Sequence, residues 1–83
     1  MKMTYYPQGT CSMQIDLEIE DNRIKNILFY GGCNGNLQGI SRLVKGMDVD
    51  EAISKLSGIR CGYKNTSCPD QLANALRRAK QQE

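Results

Sequence analysis

A chain of 83 residues struggles to bury enough apolar surface to fold alone, and small domains often add a metal ion or disulfides. This one carries four cysteines, Cys11, Cys33, Cys61 and Cys68, and no histidine. The use of those thiols is therefore expected to govern both stability and function. The N-terminal stretch Met1-Lys2-Met3-Thr4-Tyr5-Tyr6-Pro7 lacks the apolar centre of a secretory signal. No apolar run approaches the roughly 20 residues that span a bilayer. A cytoplasmic location without a membrane partner is expected. In a reducing compartment, thiols bind metal or do redox work more often than they form lasting disulfides. The length implies one domain over residues 1–83. Eleven basic and nine acidic side chains give a formal charge of +2, too near balance to point to nucleic acid.

The first half of the chain has strand periodicity. Met3 to Tyr6 reads as a short strand, stopped by the turn residues Pro7-Gln8-Gly9-Thr10. Alternation from Cys11 to Glu20 puts Met13, Ile15, Leu17 and Ile19 on one face. Polar side chains fill the other, which predicts a strand with one wet face. Asp21-Asn22 is a tight-turn pair, and Arg23 to Tyr30 is the returning strand. On that strand Ile24, Leu28 and Tyr30 are expected to share the buried face. Ile27 and Phe29 are expected to point the other way, under a helix.

Three helices follow. The first begins near Asn34 to Asn36, carries Leu37, Ile40, Leu43 and Val44 on one stripe, and ends at Gly46. The second has Asp48 as N-cap, with Glu51 three places on, and an apolar face of Val49, Ala52, Ile53 and Leu56. Gly58 closes it, with Ile59 expected to pack back. Pro69 marks the first turn of the third, with Cys68 as its expected N-cap. Leu72, Ala73, Leu76 and Ala79 face inward. The predicted architecture is α+β: an antiparallel β-hairpin or three-stranded meander, then three helices packed on one face.

Each cysteine falls at a boundary between elements, where side chains from separate elements can converge without interrupting a core. Cys33 and Cys68 also sit at or just before helix N-termini, which favour the thiolate. The spacing, C-x21-C-x27-C-x6-C, has no CxxC knuckle. With no histidine, a site short of four thiolates would take a carboxylate or water. The plain alternative is that cysteines act as small buried hydrophobes, and Cys11 fits that reading best because it opens a strand. The glycines Gly31, Gly32 and Gly35 form neither GxxxxGK[ST] nor the full GxGxxG pattern, so backbone geometry explains them better than phosphate binding. Tyr5, Tyr6 and Tyr63 beside basic groups could stack on bases, but scattered tyrosines are commonplace, and nucleic-acid binding is the least favoured function.

Residues 66–70 read Thr-Ser-Cys-Pro-Asp. Gly31-Gly32-Cys33, Gly58-Ile59-Arg60-Cys61, and Ser67-Cys68-Pro69-Asp70 with Ala73 and Leu76 precede or surround that run in a specific order. Together they resemble the TSCPD domain over roughly residues 4–80, and Gly9-Thr10-Cys11 resembles its opening cysteine turn. That domain is similar to the C-terminal extension of adenosylcobalamin-dependent ribonucleotide reductases and also occurs as short free-standing proteins, which this chain resembles. The resemblance implies a metal site, with zinc as the ion and Cys11, Cys33, Cys61 and Cys68 as ligands. Asp70, just inside the third helix, most simply favours the positive end of the dipole and becomes a supporting partner only if Cys68 holds a metal. The resemblance also implies a protein partner in nucleotide reduction, and so in DNA synthesis. The chain lacks the barrel, cofactor domain and substrate site of a reductase, which favours an accessory role.

A weaker similarity, sharpest at Val44-Lys45-Gly46 with Glu51-Ala52, is to U-type iron–sulfur scaffold proteins. It makes an iron–sulfur cluster the alternative cofactor. A further alternative is a redox dithiol formed by Cys61 and Cys68, which are separated by six residues.

Overall fold

The computed structural model describes residues 1–32 and 34–82. Strands β1 (Lys2–Tyr5), β2 (Ser12–Glu20) and β3 (Arg23–Gly31) precede helices α1 (Asn34–Val44), α2 (Val49–Leu56) and α3 (Cys68–Gln82). The sheet is an antiparallel meander in the order β1-β2-β3, and the helices cover one of its faces. The expected α+β architecture is thus the observed one, in its three-stranded form.

The β2–β3 hairpin closes through Asp21 and Asn22, both with positive φ (53° and 60°), the two-residue turn whose twist suits paired strands. From this turn the strands run in step only briefly. Ile19 lies opposite Ile24, but Glu18 lies opposite Asn26, so Lys25 is surplus. A surplus residue reverses the in–out alternation beyond it. Ile27 and Phe29 therefore face the helices opposite Leu17 and Ile15, while Leu28 and Tyr30 are 49% and 42% exposed. This corrects the expected burial of Leu28 and Tyr30. The Tyr30 hydroxyl instead lies beside Asp16 on the open face, where Thr4 and Gln14 also donate to that carboxylate.

A second irregularity lies at the other end of the pair. Ser12 is opposite Gly31 and Gln14 is opposite Tyr30, leaving Met13 surplus. Met13, expected in the core, is 71% exposed, and Ser12 is buried in its stead. The chemistry of this corner depends on that exchange.

The core joins Ile15, Leu17, Ile19, Ile24 and Ile27 of the sheet to Val44, Val49, Ala52, Leu72, Ala75, Leu76 and Ala79 of the helical layer. Alanines on α3 let the helix lie close to the sheet, with Leu72 and Leu76 fully buried between them. On α1, Leu37 and Val44 are buried and Ile40 half-buried, but Leu43 is 78% exposed. At 100° per residue Leu43 cannot join Val44 on the face that meets β3. Gly46 ends α1 with φ 86° and donates to the Ile24 carbonyl (2.7 Å). Ile24 N–H in turn donates to Met47, and Val49 N–H to Asn22, so residues 46–49 cover the start of the β3 edge. Asp48 caps α2, accepting from Glu51 N–H (3.1 Å).

Replacing Leu76, fully buried, with alanine should cost about 2–5 kcal/mol in urea denaturation. Leu43→Ala should change stability by no more than ~0.5 kcal/mol. Equal losses from the two would contradict the assignment of the α1 stripe.

Candidate functional site: a thiol corner at the start of α3

Three chain segments meet at one end of the sheet: the β1–β2 loop, the β3–α1 turn and the first turn of α3. Ser67, not Cys68, caps α3. Its Oγ accepts from Asp70 N–H (3.2 Å) and its carbonyl accepts from Gln71 N–H (2.8 Å). A hydroxyl oxygen is the better acceptor for these orphan donors, which places the Cys68 thiol one residue inside the helix. Ser67 Oγ also donates to the Ile59 carbonyl (2.6 Å). Ile59, expected to fold back onto α2 through its side chain, is instead 41% exposed.

Cys68 is half-buried, and its Sγ lies 2.6 Å from Ser12 Oγ. Burial pushes its thiol pKa up. The Ser12 hydroxyl, Thr10, the Ser12 backbone and the Cys11 thiol all oppose this, and together they hold it below the usual cysteine value. Position in the first turn of α3 acts in the same direction, since the helix dipole and free N–H groups favour a thiolate. Thr10 Oγ1 is buried without a well-aligned hydrogen-bond partner, so it contributes to Cys68 as a nearby dipole rather than through a full bond.

Cys11 is exposed at the end of the β1–β2 loop and, among the described residues, is the thiol that approaches Cys68. The β3–α1 turn closes on it from the other side. At Gly32 (φ 77°) an added Cβ would sit 3.4 Å from Cys11 Sγ and 2.9 Å from Leu37 Cδ1. A side chain there would be strained by the positive φ and would force the Leu37 side chain to shift. Cys33, expected as a ligand, lies outside the described residues. Cys61 is exposed in the loop between α2 and α3, where its N–H donates to Thr66 (3.2 Å) and its carbonyl accepts from Lys64 (3.0 Å). Among the described residues, no three Cys, Asp or Glu side chains form a group able to hold a metal ion.

A polar frame holds these segments together. Asp70 accepts from Gly58 N–H (2.7 Å) and from Thr66 Oγ1, pinning both ends of the loop that carries Cys61. The Thr66 hydroxyl, first, and the Gly58 amide hold the Asp70 carboxyl below its ordinary value; burial opposes them, and Arg77 and Arg60 assist. Gln71 is buried. It donates to Thr66 Oγ1 (3.0 Å) and accepts from Gln8 N–H (3.1 Å) and the Tyr5 hydroxyl (3.3 Å). It thereby ties the Cys11 loop to the Cys61 loop. Asp70 acts here through the loop it fastens.

Sequence reasoning missed Ser12, Thr10 and Gln71. Ser12 reads as a wet-face residue unless the Met13 bulge is known. Gln71 looks like an ordinary helical polar residue. Thr66 and Ser67 stood inside the quoted five-residue run, which was the only available signal for them.

The family model for the TSCPD domain matches residues 1–80. No curated protein and no solved structure gives a match.

Folded Asp70 binds its proton more weakly than unfolded Asp70. Its stabilisation is therefore complete above the unfolded value of about 3.9, and is lost as pH falls through the lower folded value. In chemical denaturation, Asp70→Asn should be less stable than the parent near neutrality, and the gap should close in strong acid. A gap of constant size would show that the carboxylate charge does not stabilise the loop.

Proposed function

The chain belongs to the TSCPD domain family, and from that premise we propose that it is a small metal-binding accessory domain. Its ion is Zn²⁺, and its ligands are Cys11, Cys33, Cys61 and Cys68. The observation that carries this reading is the approach of Cys11 to Cys68, with Gly32, the residue before Cys33, packed against the Cys11 sulfur. The donor chemistry fits a thiophilic ion: there is no imidazole in the chain, and the buried Thr10 hydroxyl beside Cys68 is free to donate to a thiolate. Cys61 lies in a loop that Asp70 fastens to the same helix end. A closed four-thiolate zinc site supplies a cross-link between loops and leaves no open position for hydrolytic chemistry. The resemblance to the C-terminal extension of adenosylcobalamin-dependent ribonucleotide reductases supports a role beside that enzyme, as a protein-binding partner in nucleotide reduction.

A native mass spectrum, compared with the denatured mass, should show one zinc per chain. Cys11→Ser and Cys68→Ser should each lose it, and chelation should lower the melting temperature of the parent. A metal-free native mass, with melting unchanged by chelator, would overturn the reading. Visible absorbance surviving desalting would assign an iron–sulfur cluster instead.

One observation favours a second reading, a redox dithiol. Among the described residues, the thiol beside Cys68 is Cys11 rather than Cys61, the partner that sequence separation suggested. Thiol titration separates the two readings. A metal-locked corner should hide its thiols until denatured, whereas a dithiol should react at once with an added disulfide.

A further inference from the structure

The two edges of the sheet are protected differently. Edge strands expose unpaired N–H and C=O groups, and proteins shield them with charges, proline, bulges, short length or a covering segment. β1 has four residues, begins at Lys2 and is soon followed by Pro7. The first part of β3 carries Arg23, the surplus Lys25 and the covering segment 46–49. From Asn26 to Gly31 the edge strand itself carries no charge and no proline, and the one irregularity beside it, the Met13 bulge, lies on β2 opposite Tyr30 and Gly31 at the far end of the run. Among the described residues, its backbone makes no hydrogen bond beyond the pairing with β2.

This open edge forms one wall of a groove of about 590 Å³, and α1 forms the other. Leu37, Gln38 and Ser41 line the helical wall, with Arg42 and Lys45 at its C-terminal end. No Asp or Glu lines the groove, and among the described residues neither Arg42 nor Lys45 has a carboxylate partner. Six strand residues span roughly 20 Å, enough to pair with a short extended peptide.

We propose that the open half of the β3 edge, together with Arg42 and Lys45, binds an extended acidic segment of a partner protein as a fourth strand. Backbone pairing along residues 26–31 supplies affinity, and the two cations select carboxylates and reject basic segments. The site is separate from the thiol corner and does not depend on a metal there.

The test is selection of a randomised displayed peptide library against the intact protein at low salt, with amide exchange followed by NMR. The selected peptides should alternate apolar and acidic residues, and their binding should slow exchange of amides within residues 26–31. The double substitution Arg42→Glu with Lys45→Glu, at exposed positions, should leave the circular dichroism unchanged and weaken binding by about tenfold or more. Selection of neutral or basic peptides, affinity indifferent to the charge reversal, protection mapped elsewhere, or failure to enrich any sequence would each overturn the proposal. So would protection of the same amides in peptide-free protein as concentration rises, which would identify a second copy as the occupant.

Discussion

Met13 and Lys25, one surplus residue on each of two paired strands, decide which side chains reach the helices. Between them the pairing is regular, and Ile15, Leu17, Ile27 and Phe29 make a continuous inward face. Without the surplus at Lys25, Leu28 and Tyr30 would face the helical layer, while Ile27 and Phe29 would lie in water. Without the surplus at Met13, Ser12 would point away from Cys68. Apolar packing and the polar environment of one thiol thus both depend on strand register. Register is strongly specified because a shift of one residue would expose a whole set of apolar side chains.

The two ends of the domain are stabilised by different physics. Toward the hairpin turn, Ile19, Ile24 and Val49 are buried almost completely, and residues 46–49 close the strand edge. Toward the thiol corner, apolar packing gives way to hydrogen bonds running from Tyr5 and Gln8 through Gln71 and Thr66 to Asp70 and Gly58. Such a network is worth having only when its members are satisfied, since a buried polar group without a partner is costly. Gln71 meets this condition by using both its amide oxygen and its amide nitrogen. Loops whose geometry is fixed by directional bonds can present thiols at defined positions, which loops held by a few apolar contacts cannot.

What was legible in the sequence follows from this division. Alternation identified Ile15, Leu17 and Ile19. The Asp21-Asn22 turn, the Asp48 cap and the inward face of α3 each followed from a local rule about backbone or periodicity. The bulges were not legible. Inserting one residue leaves two short alternating runs that look continuous, so Met13, Leu28 and Tyr30 were assigned to the wrong face. Leu43 was misplaced because α1 is amphipathic but packs along a narrow seam. At the thiol corner, sequence separation pointed to Cys61 as the neighbour of Cys68, and the approach of Cys11 instead arises from the strand pairing that brings the β1–β2 loop to the start of α3. The cap was misassigned by one residue because proline in a first turn marks a helix start without choosing between Ser67 and Cys68. Ser12 and Gln71 act through partners 56 and 63–66 residues distant, and no local pattern encodes such contacts.

The β3–α1 turn lies where the corner and the groove come closest. Gly31 and Gly32 line the end of the groove, and Gly32 also packs against Cys11 and Leu37. Leu37 in turn belongs to the helical wall facing the open strand edge. A displacement of α1 away from β3 would therefore move Leu37 off Gly32 and relax the packing beside Cys11. The contact that joins the two regions is a single apolar one, Leu37 against Gly32, beside the Cys11 sulfur. Tight packing leaves such a contact little room to yield gradually.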